Sequence, residues 1–164
     1  MSLVAASPAV FGRHDHAACR ETAMASARAL CAERKLRLTP VRARALEILL
    51  EDHRAMGAYE LLDRLRAEGL GGQPPVAYRA LEFLVGAGLA HRVEKLNAYI
   101  ACAHPDDAHD AAFLICRGCK AVAEADADRL RAALGAEAAQ IGFAVERMVV
   151  EVEGLCPRCA AAEA

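Results

Sequence analysis

Residues 76–102 read VAYRALEFLVGAGLAHRVEKLNAYIAC. The first dozen carry a helical period, with Val76, Ala80, Phe83, Leu84 and Ala87 on one face. Tyr78 points away from that face and Arg79 flanks it. Gly86 and Gly88 end the helix. Two short strands follow, at about 90–94 and 98–102, with Lys95-Leu96-Asn97 as their turn. Toward the N-terminus, residues 58–68 form a helix with Leu61, Leu62 and Leu65 inward and Gly69 as its cap. The turn Gly71-Gly72-Gln73-Pro74-Pro75 separates it from the next helix. Before it, Thr39-Pro40 opens a helix that runs to about Asp52. Thr39 is a good N-cap, and Pro40 fits the first helical position, where its missing N–H costs nothing. Val41, Ala45, Ile48 and Leu49 make its buried stripe; Arg42 and Arg44 fall on other faces, open to solvent or phosphate. A first helix covers about 18–35, with Ala23, Met24, Ala27, Leu30 and Cys31 on one side. Three helices and a hairpin make a winged helix, a helix-turn-helix variant whose last helix enters the major groove. An exposed Tyr-Arg pair near the start of that last helix suits contacts to phosphates and base edges.

Two cysteine pairs lie further along: Cys116-Arg117-Gly118-Cys119 and Cys156-Pro157-Arg158-Cys159. Two residues between thiols let one short turn aim both sulfurs at one ion. Two such turns supply the closed, four-thiolate set of a structural zinc site. The 36 residues between the pairs exceed the ~15–20 of a compact ribbon, so the metal would staple the ends of a small domain. A redox motif would leave the second pair unexplained, and disulfides need an export signal that the chain does not show. Between the pairs, 111–115 and 121–124 read as strands. A helix led by Asp126 and Asp128 is expected to stop at Gly135, and Phe143 to Glu153 alternates as a long strand. Residues 160–164 read as a frayed tail.

The expected architecture is therefore α+β. A flexible arm spans 1–17, a winged-helix DNA-binding domain 18–102, a polar hinge 103–110, and a small α/β dimerisation and metal-binding domain 111–164. At 164 residues and 55% hydrophobic composition the chain is globular, and no apolar run reaches the length of a membrane span. Seven cysteines without an export signal point to a reducing, cytoplasmic compartment. Residues 1–90 hold 12 Lys/Arg against 10 Asp/Glu, a net of +2, whereas 91–164 hold 8 against 12, a net of -4. Between Arg28 and Arg44 six basic residues face only Glu33. Alone, such a run is most simply a solvated helix face, yet local patches rather than total charge bind phosphate. His14-Asp15-His16 reads as part of a solvated tail, with metal binding the alternative. Cys31 reads as a small buried hydrophobe and Cys19 as a free thiol.

Several stretches together resemble the ferric uptake regulator superfamily and, within it, the zinc uptake regulator branch. They are Leu36-Arg37-Leu38-Thr39-Pro40-Val41-Arg42, Ala58-Tyr59-Glu60-Leu61-Leu62, Tyr78-Arg79-Ala80-Leu81 with Phe83-Leu84, Gly88 to Glu94, Tyr99, Cys102 and both cysteine pairs. The resemblance covers about 18–160. It implies a homodimeric, metal-responsive transcriptional repressor, not an enzyme, binding double-stranded operator DNA through Tyr78, Arg79, Tyr59, Arg42 and Thr39. It departs from the family pattern at Val76-Ala77, where Thr-Val is frequent, and in lacking a His-rich run near the hinge.

The same resemblance assigns His91, Cys102, His109 and Glu124 to a regulatory zinc site, with His104 as the alternative to His109. One thiolate, two imidazoles and a carboxylate suit Zn²⁺ over hard, octahedral ions. Two zinc ions per monomer follow, one structural and one regulatory, with no small-molecule substrate and no membrane partner. The runner-up is an iron- or peroxide-responsive regulator, against which the thiolate argues. A zinc hydrolase would need an open coordination position and a general base, and no HExxH motif occurs.

Overall fold

The computed structural model describes residues 11, 16–105 and 111–163. These fall into two compact units, residues 16–105 and residues 111–163 with Phe11; the HDH stretch up to Asp15 and His109 lie outside the described residues.

The first unit holds α1 (His16–Glu33), α2 (Pro40–Leu49), α3 (Ala58–Ala67), α4 (Pro74–Gly86), β1 (Ala90–Val93) and β2 (Ala98–Ala101). α1 ends where Lys35 turns left-handed at φ 55°. The Leu36 and Lys35 amides then donate back to the Cys31 and Ala32 carbonyls at 2.8 and 3.2 Å, closing the last turn. α2 starts as its sequence dictates: Thr39 is extended, its hydroxyl accepts from the Arg42 amide, and Pro40 opens the first turn. α4 begins two residues earlier than periodicity suggests. Pro74 and Pro75 fit the first turn because neither N–H is needed there. Its inward residues are Ala77, Ala80, Leu81 and Leu84, while Val76 and Phe83 are only half-buried. The strands pair antiparallel from Ala90↔Ala101 to Val93↔Ala98. Met56 adds a bridge to Tyr99, with both amides donating at 2.8 Å. Ile48, Leu61, Leu65, Leu81 and Leu84 are fully buried where the helices meet, each contributing about 2 kcal/mol of apolar transfer.

The second unit holds β3 (Ala111–Cys116), β4 (Val122–Asp126), α5 (Asp128–Gln140), β5 (Val150–Gly154) and α6 (Pro157–Glu163). Its sheet has the order β4-β3-β5. β3 runs antiparallel to β4 and parallel to β5, with Cys116 opposite Gly154.

Three expectations need correction here. α5 does not stop at Gly135; it continues to Gln140. The residue with the left-handed conformation is Gly142, at φ 70°, and the Phe143 amide donates back to Ala138 at 2.9 Å. An interior glycine weakens a helix by only about 1 kcal/mol, so Gly135 is passed. Among the described residues the long strand expected from Phe143 is a strand only over Val150–Gly154, opposite Ala112 to Cys116 of β3. The tail is helical to Glu163, whose carboxylate takes a 2.7 Å ion pair from Arg117.

Candidate metal centres and nucleic-acid interface

Cys116 is the last residue of β3, and the turn after it carries Cys119. The β5–α6 corner presents Cys156 just before the helix and Cys159 inside it. The sheet register that sets Cys116 opposite Gly154 thus brings two distant pairs to one end of the unit. All four sulfurs lie within 4.8 Å of one another. Cys119 Sγ and Cys156 Sγ are 3.7 Å apart and not covalently joined. That separation matches the ~3.8 Å sulfur–sulfur edge of a tetrahedron built on Zn–S bonds of about 2.3 Å.

The surroundings favour thiolates. The Cys156 amide donates to Cys116 Sγ at 3.3 Å. That amide first, with those of Cys119 and Gly118, holds the Cys116 thiol down at about 6. The Cys119 thiol is also lowered, chiefly by the Ala121 amide. Cys159 is pushed up to about 12, first by its hydrogen bond with Cys156 and then by burial and its other sulfur neighbours. Four crowded thiols cannot all ionise without a cation among them, so this donor set calls for one. Arg158 adds a hydrogen bond to Cys119. Gly118 has a steric reason: a Cβ there would stand 3.0 Å from Cys159 Sγ and 3.2 Å from its Cβ. The glycine between two cysteines was the one sequence signal of so tight a packing.

In the first unit, His91 sits on β1 opposite Ile100, half-buried. Buried Cys102 follows β2, its amide donating to the Leu89 carbonyl at 3.0 Å. Their ligand atoms lie within 4.8 Å of each other, because the hairpin places the start of one strand beside the end of the other. Glu124 belongs to the second unit, half-buried on β4 opposite Phe113. His104 is exposed.

On the helical side, Tyr78 and Arg79 are exposed in the first turns of α4, and Tyr59 is 65% exposed at the start of α3. The two tyrosine rings meet edge to face, 6.4 Å apart at 89°, an arrangement that stiffens both. Arg79 makes no ion pair or hydrogen bond through its side chain among the described residues. The other basic residues differ. Arg44, expected open to solvent or phosphate, is three-quarters buried as a side chain and bridges Glu68 at 2.6 Å and Glu47 and Glu51 at 3.2 Å. Arg34 donates to the Ala87 carbonyl. Arg42 donates to the Arg37 carbonyl at 2.7 Å and stacks on the Phe83 ring. Apart from the Arg44–Glu47 pair, three residues apart on α2, periodicity alone could not separate these tethered cations from Arg79, since the other partners lie outside α2.

No protein-family model matches the chain. The zinc uptake regulation protein of Escherichia coli (strain K12) is 40% identical over 142 residues, covering 86% of this chain and 83% of the relative. A solved structure described as a zinc uptake regulator complexed with zinc and DNA is 39% identical with a TM-score of 0.83, over 88% of this chain and 97% of that one. The crystal structure of holo XcZur is 40% identical with a TM-score of 0.78, over 87% and 99%. The chain belongs to the zinc uptake regulation proteins.

Proposed function

We propose that the chain is a zinc-responsive transcriptional repressor. It binds operator DNA as a dimer when a regulatory site holds zinc, and it acts on genes of zinc uptake. The observation that carries this is the near-full-length likeness to a regulator solved with zinc and DNA. It is a regulator rather than an enzyme, and its place of action is the cytoplasm; no described helix is long and apolar enough to cross a membrane.

Cys116, Cys119, Cys156 and Cys159 would hold the structural ion, and the crowded thiols and the Gly118 contact support this. His91, Cys102, His109 and Glu124 would hold the regulatory ion, giving two per monomer. The closeness of the His91 and Cys102 donors supports the first half of that set. Zinc supplies a tetrahedral centre that holds its donors at fixed distances. His91 and Cys102 report from the hairpin of the DNA-reading unit, Glu124 from the sheet unit, and His109 from the segment between them. Domain limits of 18–102, 103–110 and 111–164, after an arm of 1–17, express the same division. Only a difference in zinc affinity between the DNA-competent form and other forms shifts the population.

Tyr78, Arg79 and Tyr59 make the DNA-facing set, with Thr39 at the start of α2; Arg42, expected among them, has its guanidinium engaged by the Arg37 carbonyl and the Phe83 ring. The exposed, unpaired state of Arg79 supports a reading of base edges. Dimerisation would fall to the second unit: α5 buries none of its residues, and Leu130, Leu134, Ile141 and Phe143 are exposed. The alternating stretch 143–149, which belongs to no described strand, offers a second copy apolar side chains beside β5. The soft Cys102 donor favours zinc over the iron-responsive reading.

The test is binding to duplexes selected from a randomised library, with and without a zinc chelator, alongside metal analysis. The reading expects tight, chelator-sensitive binding and two zinc ions falling to one after mild chelation. Binding indifferent to chelation would contradict it.

A further inference from the structure

Arg42 has three attachments, all within the DNA-reading unit. Its backbone amide is received by the Thr39 hydroxyl at 3.5 Å. Its Nη1 donates to the Arg37 carbonyl at 2.7 Å, an oxygen that also accepts the Thr39 amide at 3.1 Å. Its guanidinium lies 3.8 Å from the centroid of the Phe83 ring. The side chain is half-buried. A guanidinium with one face on a ring and one nitrogen on a carbonyl has lost much of the planar fork that a phosphate would take bidentately.

Phe83 is not an arbitrary ring. It stands four residues after Arg79 on α4, and residues four apart on a helix lie one above the other on the same side. Phe83 is only partly buried against the core, so its outer face is not seated by apolar packing alone. The Arg42 guanidinium covers it. Through this contact the turn before α2 is joined to the side of α4 from which Arg79 projects.

We propose that Arg42 is a positioning residue: stacked on Phe83 and anchored at the Arg37 carbonyl, it sets the seat of α4 and so the aim of Arg79, instead of neutralising a phosphate. The proposal rests on the reading of α4 as the DNA-recognition helix. A positioned side chain and a phosphate contact leave different signatures. Loss of a phosphate contact weakens all sequences alike and lowers the salt dependence of binding, and lysine can replace it. Loss of a seat weakens the specific site selectively, leaves the salt dependence alone, and is not repaired by lysine, which lacks the planar stacking group.

The experiment uses the full-length, zinc-loaded chain. The probes are the tightest duplex recovered from a randomised library and a mixed-sequence duplex, each measured over a range of salt. Arg42→Lys, Arg42→Gln and Phe83→Leu are each expected to weaken the selected duplex about five- to tenfold. The mixed-sequence duplex and the slope of log affinity on log salt should be unchanged. Arg42→Gln combined with Phe83→Leu should cost little more than either alone. Rescue by Arg42→Lys, a slope reduced by about one in Arg42→Gln, or an equal loss on both duplexes would overturn the proposal. If Arg42→Gln does not fold, Phe83→Leu decides, and full discrimination between the duplexes in that variant overturns it. Arg79→Ala tests the underlying reading separately: wild-type binding of the selected duplex by that variant means α4 is misassigned, whatever Arg42 does.

Discussion

The two units of this chain are held together by different means. The helical unit has a leucine-rich core: Leu46, Ile48, Leu49, Leu61, Leu62, Leu65, Leu81, Leu84 and Leu89 are all essentially inaccessible. The sheet unit has Phe113, Ile115 and Val122 inside, with small alanines around them, while Ile141 is 82% exposed and α5 contributes nothing buried. Apolar burial suffices for the first. The second is a short segment with too little interior to stand on its own, and it carries four thiols at one end and an uncovered apolar surface. One unit therefore answers to packing, and the proposed function gives the other a metal and a second copy to answer to. All three tyrosines, at 59, 78 and 99, lie in the first unit and the chain has no tryptophan, so tyrosine fluorescence follows the helical unit by itself.

The sharpest way to break the comparison is at the staple. Metal binding at a four-thiolate site is folding free energy, on the order of ~10 kcal/mol. Cys119→Ser is expected to lose the structural zinc, the dimer and the order of the sheet unit, while the tyrosine signal still melts cooperatively. Metal analysis and sedimentation, with circular dichroism and fluorescence followed on one heating curve, check this. A single, unaltered melt would show that the units share one source of stability.

The reverse perturbation should be smaller and confined to the other side. Leu65→Ala deletes a fully buried side chain and should cost the helical unit about 2–5 kcal/mol. The urea midpoint of the tyrosine signal should fall, with zinc content unchanged. Concurrent zinc loss would show that the two units are coupled in folding.

How much of this contrast the sequence disclosed depended on the kind of signal. Thr39-Pro40, the leucine spacing of α3 and the turn at Lys95-Leu96-Asn97 are local, and the helices and hairpin they predict are present. The cysteine pairs predicted their own meeting, because two-residue spacing has few other uses. Gly135 misled because a glycine stops a helix only where the backbone turns left-handed, and here that happens at Gly142. The stretch from Phe143 misled because alternation reports a buried side of a strand, not which chain pairs with it. The tethering of Arg42 to Phe83 and of Arg44 to Glu68 was not legible. Glu68 lies 24 residues from Arg44 and Phe83 lies 41 from Arg42, and which cation meets which partner is decided by helix packing.

The smallest effect sharpens the same point. The Arg44 guanidinium holds the Glu68 carboxyl below its ordinary value, mainly through a direct hydrogen bond. Stability from a depressed carboxylate is fully present above the unfolded value, about 4.3, and is lost as pH falls through the lower folded value. Glu68→Gln should therefore lower the tyrosine-detected urea midpoint slightly at neutral pH, leave it nearly unchanged in acid where the wild-type carboxyl is already protonated, and so flatten the acid limb. An unaltered acid limb would remove this ion pair from the forces holding α2 to α3.

The central claim is that one metal holds the fold and another governs DNA binding, and Cys102→Ser tests it most directly. Metal content, melting curve and zinc-dependent binding of a library-selected duplex are measured on one preparation. The account predicts one zinc per monomer, a wild-type melt of both units, and no binding of the duplex when zinc is added. Zinc-dependent binding that persists, or the loss of both ions together with the sheet unit, would contradict it.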